Sequence, residues 1–537
     1  MKKFDLIIQN GRIIDGTGNP YYRADIAVKN GKIVKIKKAL NSSEAHRVIS
    51  ARGLTVCPGF IDTHTHDDLY LLARPACDFK IVQGVTTVVT GNCGFSIAPI
   101  SDVYRSEIED TFKVMGGKHV STKDICLKAF SDYINALNNA AIGINVVPLA
   151  GHTTIRIAVM GATDRTPSAT EMDKMKAAVA DAMAQGAFGL STGLIYAPGS
   201  YAGTDEIISL CQTVARHHGI YTSHIRSEGD ELIPAVAEAL RIGKEAAIPV
   251  HISHHKAMGR RNWGKSAQTL KMIAQARLEG IAVTCDQYPY TAASTFLAAA
   301  IPPKFLADGP ERLSAILNDP HTRQVVRQEI ENREEKGWEN LIESAGFAAI
   351  MITGSINHPE YTGKTIADIA RGLDKDPFDV VFDLVAEETR GTVVVLFTMD
   401  DPDLENIMQA PFTMVGTDGI PAFGEEMAHP RLTGTFPRIL GRYVREKRVL
   451  RLETAVRKMT SFPAQTFGLM GKGLLREGFD ADIVLFDPDT IIDRATYEDP
   501  FRIPEGIHMV LVNGVIAVEN GEVAQCSSGE VLAPSYC

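Results

Sequence analysis

The stretch Gly59-Phe60-Ile61-Asp62-Thr63-His64-Thr65-His66-Asp67 carries the first residues able to do chemistry. Apolar residues at 60 and 61, followed by alternating Thr and His, read as a strand end that turns His64 and His66 to one side. Neutral imidazole is a common ligand of zinc and similar metals, so two on one strand make an economical start to a metal site. A bare His-x-His is also compatible with a hydrogen-bonded pair, so the reading depends on partners elsewhere. Cys93, His152, His224, His254 and Asp418 each stand at or beside the C-terminal end of a separate apolar run. A random scatter of polar residues would not produce that placement.

The runs that position them repeat as strand, turn and helix. They end at residues 60–66, 85–93, 144–152, 186–193, 220–227, 250–256, 282–288 and 412–419. Helical stretches fill gaps at 168–185 and 230–247, with apolar residues at helical spacing and acidic first turns. Alternating strands and helices imply a parallel sheet, and eight such strands imply a (β/α)8 barrel, whose active sites lie at the C-terminal strand ends. Residues 296–346, charged and helical, read as an excursion beyond the seventh strand. The runs 348–353 and 393–399 are further strand candidates that compete with the seventh and eighth assignments.

The chain ends have a different pattern. Residues 4–8 and 25–36 read as strands, the latter turned at Asn30-Gly31, and 481–486 and 507–522 repeat the signature with Asn513-Gly514 and Asn520-Gly521. Each end is too small to be comfortable alone. The expected organisation is a composite β-sandwich of 1–57 and 475–537 around a catalytic barrel of 58–474.

Composition narrows the function. With 537 residues, 45% of them hydrophobic, the chain is long enough for a sizeable core. A net charge of -10 and no basic stripe argue against a nucleic-acid partner. No window reaches membrane-spanning length and the N-terminal apolar run is too short for a signal peptide, so the expected address is cytoplasmic. The eight cysteines (57, 77, 93, 126, 211, 285, 526, 537) include no Cys-x-x-Cys, which suits reduced thiols.

His-x-His on the first strand, single histidines on the fifth and sixth, and Asp on the eighth resemble the amidohydrolase superfamily, a metal-binding barrel joined to a sandwich built from both chain ends. Many binuclear members carry a bridging lysine on the fourth strand, whereas GLSTGLIYAPG (189–199) offers Ser191 and Thr192. Cys93, in VVTGNCGFS, is the natural substitute, because a thiolate is anionic and a good zinc ligand. That substitution resembles the D-aminoacylase branch, the N-acyl-D-amino-acid deacylases. Its matching strings include PGFIDTHTHDD (58–68), SHIRSEG (223–229), ISHHKAMG (252–259), DQYPYTAAST (286–295) and HPRLTGTFPRILGRYVRE (429–446).

The resemblance implies one tightly held Zn2+ bound by Cys93, His224 and His254, with His64 and His66 framing a weak second position. Strand alternation favours His254 over His255. Asp418 is expected to accept the proton of the attacking water and pass it to the leaving amine. The substrate's α-carboxylate needs a cation or several donors. Lys256, Tyr196, Tyr288 and Ser294 are the favoured contacts, with Arg226, Arg260, Arg431 and Tyr290 also placed for consideration; Arg431 is expected to order its own loop. The implied activity is hydrolysis of N-acyl-D-amino acids, a small-molecule substrate, with the side chain left open between neutral and acidic. Two alternatives remain. A cyclic-amide hydrolase of the dihydropyrimidinase or dihydroorotase kind would want the missing lysine, and a non-catalytic oligomeric scaffold would be expected to have lost ligands that are present.

Overall fold

The computed structural model describes residues 2–112, 126–307, 309–332, 338–422, 427–524 and 527–534. The chain begins with β1 (Phe4–Ile13), β2 (Tyr22–Lys29), β3 (Lys32–Lys37), β4 (Ala45–Ser50) and β5 (Thr55–Pro58). Alternation sorts their side chains. Leu6 and Ile8 join Ile26, Val28 and Ile33 in one core, while Ile7 packs with Ala27 and Ala45 on the opposite face.

The barrel follows with β6 (Phe60–Asp62), β7 (Val85–Thr90), β8 (Asn145–Pro148), β9 (Ala150–Gly151), β10 (Gly189–Gly193), β11 (Ile220–His224), β12 (Val250–Ile252) and β13 (Val283–Gln287). β8 and β9 are one staggered staff, the first pairing β7 and the second β10, and all these pairings are parallel. β14 (Ala293–Phe296), β15 (Ile350–Gly354) and β16 (Val393–Leu396) form a separate antiparallel sheet. The barrel resumes at β17 (Thr413–Val415), which pairs β13, and closes on β6 through the parallel bridge between Thr65 and Gly419. The eight expected barrel strands are therefore the observed ones, and the two competing apolar runs belong to the excursion.

The excursion is accordingly mixed. Helices Gly309–Asn318, Pro320–Asn332 and Leu341–Ala345 occupy its first half, and the segment between β13 and β17 also holds the β14-β16-β15 sheet. The strands escape a purely helical reading because their short apolar runs lie outside 296–346 or at its edge.

Helices cover the barrel as their sequence periodicity requires. Ser168 caps helix Ala169–Ala184 by accepting from Glu171 N–H. Helix Leu232–Ala246 buries Leu232, Val236, Ala239, Ile242 and Gly243, a single apolar stripe. Among the described residues no helix is long and apolar enough to cross a membrane.

The chain returns through β18 (Ile483–Phe486), β19 (Ile507–Val512), β20 (Val515–Glu519) and β21 (Glu522–Val523). β18 pairs antiparallel with β5, joining both chain ends in one nine-stranded sheet ordered β21-β20-β19-β18-β5-β1-β2-β3, with β4 on β1. Ile483, Leu485, Met509 and Leu511 enter the same core as Leu6 and Ile26. The fold is a (β/α)8 barrel with a small β-sandwich built from both ends.

Candidate metal centre and active site

Three of the candidate site residues leave their strands in the left-handed backbone region: Cys93 (φ 53), His254 (φ 34) and Asp418 (φ 49). That conformation is uncommon for residues with a Cβ and persists where the surroundings hold it. The holding groups are visible. Around Cys93, Ser191 Oγ donates to Gly91 O and accepts from Gly94 N–H at 3.0 Å, clamping the turn from β10. A Cβ on Gly193 would lie 2.1 Å from the Cys93 carbonyl oxygen, so the end of β10 is kept bare to admit this turn. The strand that lacks the bridging lysine is thus the one that positions the cysteine.

His254 N–H donates to Asp286 Oδ1, and Asp286 Oδ2 takes Thr63 Oγ1 at 2.7 Å and His251 Nε2 at 2.8 Å. Since β12 ends at Ile252, the direction of His254 comes from this turn and not from strand alternation. Asp418 N–H donates to His64 O at 2.8 Å, so the barrel's closing seam also fixes the carboxylate. Beneath it Asp62 binds Thr417 and the buried Lys80, the latter at 2.7 Å.

These turns bring the donors together. Cys93 Sγ lies 3.3 Å from His64 Nε2, 3.5 Å from His254 Nε2 and 3.7 Å from His224 Nδ1. Zinc–sulfur and zinc–nitrogen bonds of about 2.3 and 2.0–2.1 Å at tetrahedral angles separate sulfur from nitrogen by about 3.6 Å, so the spacing suits the ion. Asp418 Oδ1 faces His64 Nε2 at 3.5 Å and His66 Nε2 at 3.4 Å, making His64, His66 and Asp418 a second group of metal-holding type.

The electrostatics agree. Burial, then His254, holds His64 well below the ordinary histidine range, and burial brings His224 to about 3, which keeps both rings in the neutral ligating form. Burial, with Asp418 and Glu228 nearby, pushes the Cys93 thiol well above its usual range, so a thiolate there calls for an adjacent cation. Asp418 goes the other way. Burial opposes its ionisation, but Arg431, whose Nη1 is 2.8 Å from Oδ2, and His254 outweigh burial and hold the carboxyl well below the ordinary carboxylate range.

The remaining expected residues divide. Lys256 Nζ lies 2.6 Å from Glu228 Oε1 and 5.4 Å from the centre of the Tyr288 ring, with the Arg431 guanidinium 4.5 Å from that same ring centre. Among the described residues the buried Tyr288 hydroxyl has no hydrogen-bond partner. Tyr196 sets its ring 5.0 Å from His224 and its hydroxyl 3.1 Å from Thr295 Oγ1, while Ser294 offers its carbonyl to Arg431 Nη2 at 3.3 Å. Others stand apart. Arg226 is held by Glu238 and the carbonyls of Ser200 and Ala202, His152 opens a helix and pairs with Glu206 at 2.9 Å, Tyr290 bonds Pro430 and Asp493, and Arg260 lies over Trp263. Arg431 reaches the carboxylate as well as its own loop, beyond its expected part. Glu228 is the residue that sequence reading passed over; its one signal was membership of the SHIRSEG string.

The model of the amidohydrolase family matches residues 47–518, and that of the N-terminal domain of the urease alpha subunit matches 1–57. The chain is 38% identical over 532 residues to a D-aminoacylase of Alcaligenes xylosoxydans xylosoxydans, covering 99% of this chain and 98% of that one. It is 39% identical over 531 residues to the same organism's N-acyl-D-aspartate deacylase, covering 99% and 95%. The crystal structure of N-acyl-D-glutamate deacylase from Bordetella bronchiseptica, complexed with zinc and a phosphonate mimic of the tetrahedral intermediate, superposes with a TM-score of 0.83 at 36% identity, covering 99% of this chain and all of that one. With barrel, composite sandwich and a full-length sequence match in agreement, this chain belongs to the amidohydrolase family.

Proposed function

We propose that the protein hydrolyses the amide bond of N-acyl-D-amino acids, releasing a carboxylate and the free D-amino acid, with Zn2+ as cofactor. The observation that carries the reading is Cys93 Sγ standing within 3.7 Å of His64, His224 and His254 on the turn that Ser191 clamps. Full-length relatives named for D-aminoacyl, N-acyl-D-aspartyl and N-acyl-D-glutamyl substrates support it.

Cys93, His224 and His254 hold the ion, and His64 and His66 flank it; bound there, zinc supplies Lewis acidity that polarises a carbonyl and acidifies water. Asp418 is ionised at neutral pH because Arg431 stabilises its charge, so it accepts a proton at Oδ1, the oxygen not held by Arg431, and returns it to the departing nitrogen. Lys256, Arg431 and Tyr288 enclose the substrate's carboxylate: two cations flank one aromatic ring whose hydroxyl has no partner among the described residues. Tyr196 and Ser294 border that space.

The discriminating experiment is a screen of N-acetylated D- and L-amino acids, together with a hydantoin and a dihydropyrimidine, scored by released amine or ring opening. Hydrolysis of D-substrates at least about 100-fold faster than of their L-enantiomers is the expected result. Activity confined to the cyclic amides would overturn the reading.

A further inference from the structure

Glu228 is 3% exposed and has no part in the mechanism above, yet it touches both halves of the site. Its backbone is pinned at both ends: its N–H donates to Glu339 Oε2 at 2.8 Å, and its carbonyl accepts from Met258 N–H at 2.7 Å. Oε1 lies 2.8 Å from His254 Nδ1 and 2.6 Å from Lys256 Nζ, and Lys256 Nζ is itself 2.9 Å from His254 Nδ1. One imidazole nitrogen therefore faces an acceptor and a donor at once.

The geometry points to Glu228 as the positioning residue that sets the tautomer of His254 against the pull of Lys256. An ammonium can only donate, so acting alone on Nδ1 it would draw that lone pair and leave the ring proton on Nε2. Nε2 is the nitrogen that faces Cys93 Sγ at 3.5 Å, and a protonated Nε2 cannot bind a metal. Glu228 reverses the preference. Its carboxylate accepts the Nδ1 proton, which frees the Nε2 lone pair, and at the same time it neutralises the ammonium. Charge favours this arrangement: the Lys256 ammonium 2.6 Å from Oε1 stabilises the carboxylate form that accepts the Nδ1 proton. His224, Glu228 and His254 also form a group of metal-holding type, but the ammonium beside Oε1 already supplies the cation there and would repel a second.

This inference rests on the preceding one only in taking Zn2+ to be held by Cys93, His224 and His254. Its test reads zinc affinity by competition with a fluorescent chelator, without substrate. Glu228→Ala should bind Zn2+ about 10–100-fold more weakly than wild type, the usual effect of removing a carboxylate behind a ligating histidine. Lys256→Met alone should stay within about threefold. The decisive variant is Glu228→Ala/Lys256→Met, which should regain at least about tenfold over Glu228→Ala, because the competing donor is gone. Should Glu228→Ala fail to fold, Glu228→Gln replaces it in the same cycle, with about tenfold weaker binding expected from a neutral acceptor. A single Glu228 variant within twofold of wild type, or a double variant no tighter than the single, overturns the assignment. Wild-type protein that binds no zinc would defeat the proposed metal site instead, so the two failures are distinct.

Discussion

At the scale of single residues, the proposed function gives Cys93 and Asp418 two separate duties on either side of His64 Nε2, 3.3 Å from the sulfur and 3.5 Å from the carboxylate. Cys93 contributes the only sulfur among the clustered donors, so Cys93→Ala should lose bound zinc and hydrolysis together, measured by metal analysis after gel filtration and by released amine. Asp418→Asn should keep the zinc and lose about 10²–10⁴-fold in kcat, the range expected when a positioned acid–base group is removed. Retention of a full zinc equivalent and normal turnover by the first variant, or near-normal kcat in the second, would reassign those roles. His64, His66, Cys93, His254 and Asp418 are legible in the sequence because any residue just past a strand of a parallel barrel converges on the same rim, whatever the length of chain between strands. Glu228 and Arg431 are not. Glu228 stands four residues beyond His224 in a loop, and meets His254 and Lys256 only because β11 and β12 lie side by side. Arg431 reaches Asp418 across a connection whose path no periodicity describes.

At the scale of elements, the excursion between β13 and β17 shows what length and composition leave out. Its charged helices are readable from their periodicity, but one of its contacts with the site is not: Glu339 accepts from the Glu228 N–H at 2.8 Å. Burial, and then the Glu228 carboxylate, push the Glu339 carboxyl up to about 8. Because the folded pKa lies above an ordinary value near 4.3, the folded state holds the extra proton between about pH 4.3 and 8. Stability contributed by this group is fully present below that window and falls as pH rises through it, by up to about 1.4 kcal/mol per pH unit. Glu339→Gln keeps an acceptor for the N–H and removes the titration. Urea midpoints measured from pH 5 to 8 should therefore decline less in the variant than in wild type, and the variant should be the more stable at pH 8. Parallel declines in the two proteins would remove Glu339 from the balance.

At the scale of the whole molecule, the sandwich and the barrel are joined through Asp482, at the end of the strands opposite the site. Its Oδ2 takes Lys472 Nζ at 2.9 Å and Asn145 Nδ2 at 3.1 Å, its Oδ1 takes Asn513 N–H at 2.7 Å, and its carbonyl takes Gly59 N–H at 2.8 Å. Asn145 and Gly59 stand at the starts of β8 and β6, while Asn513 lies in the β19–β20 turn, so one buried carboxylate spans first-half barrel, last-half sandwich and the segment between them. The Asn-Gly hairpins reveal two strand-rich ends, but only the paired register of β5 and β18 reveals that Asp482 must fall over the barrel floor. Asp482→Ala leaves the 2%-exposed Lys472 ammonium with Asn513 Oδ1 at 2.7 Å and with carboxylates only at 3.3 Å (Asp480) and 3.6 Å (Glu530), and it removes the acceptor of the Asn513 N–H and the nearer acceptor of Asn145 Nδ2. Breaking one side of a buried pair costs about 3–5 kcal/mol. The variant should accordingly inactivate at a lower temperature than wild type, while zinc content and kcat/KM of the protein still folded stay within about twofold. Residues at the barrel floor act on stability and those at the rim on chemistry, so a large change in kcat/KM with unchanged thermal inactivation would mean that this end of the molecule is coupled to the site by a route the hydrogen bonds do not contain.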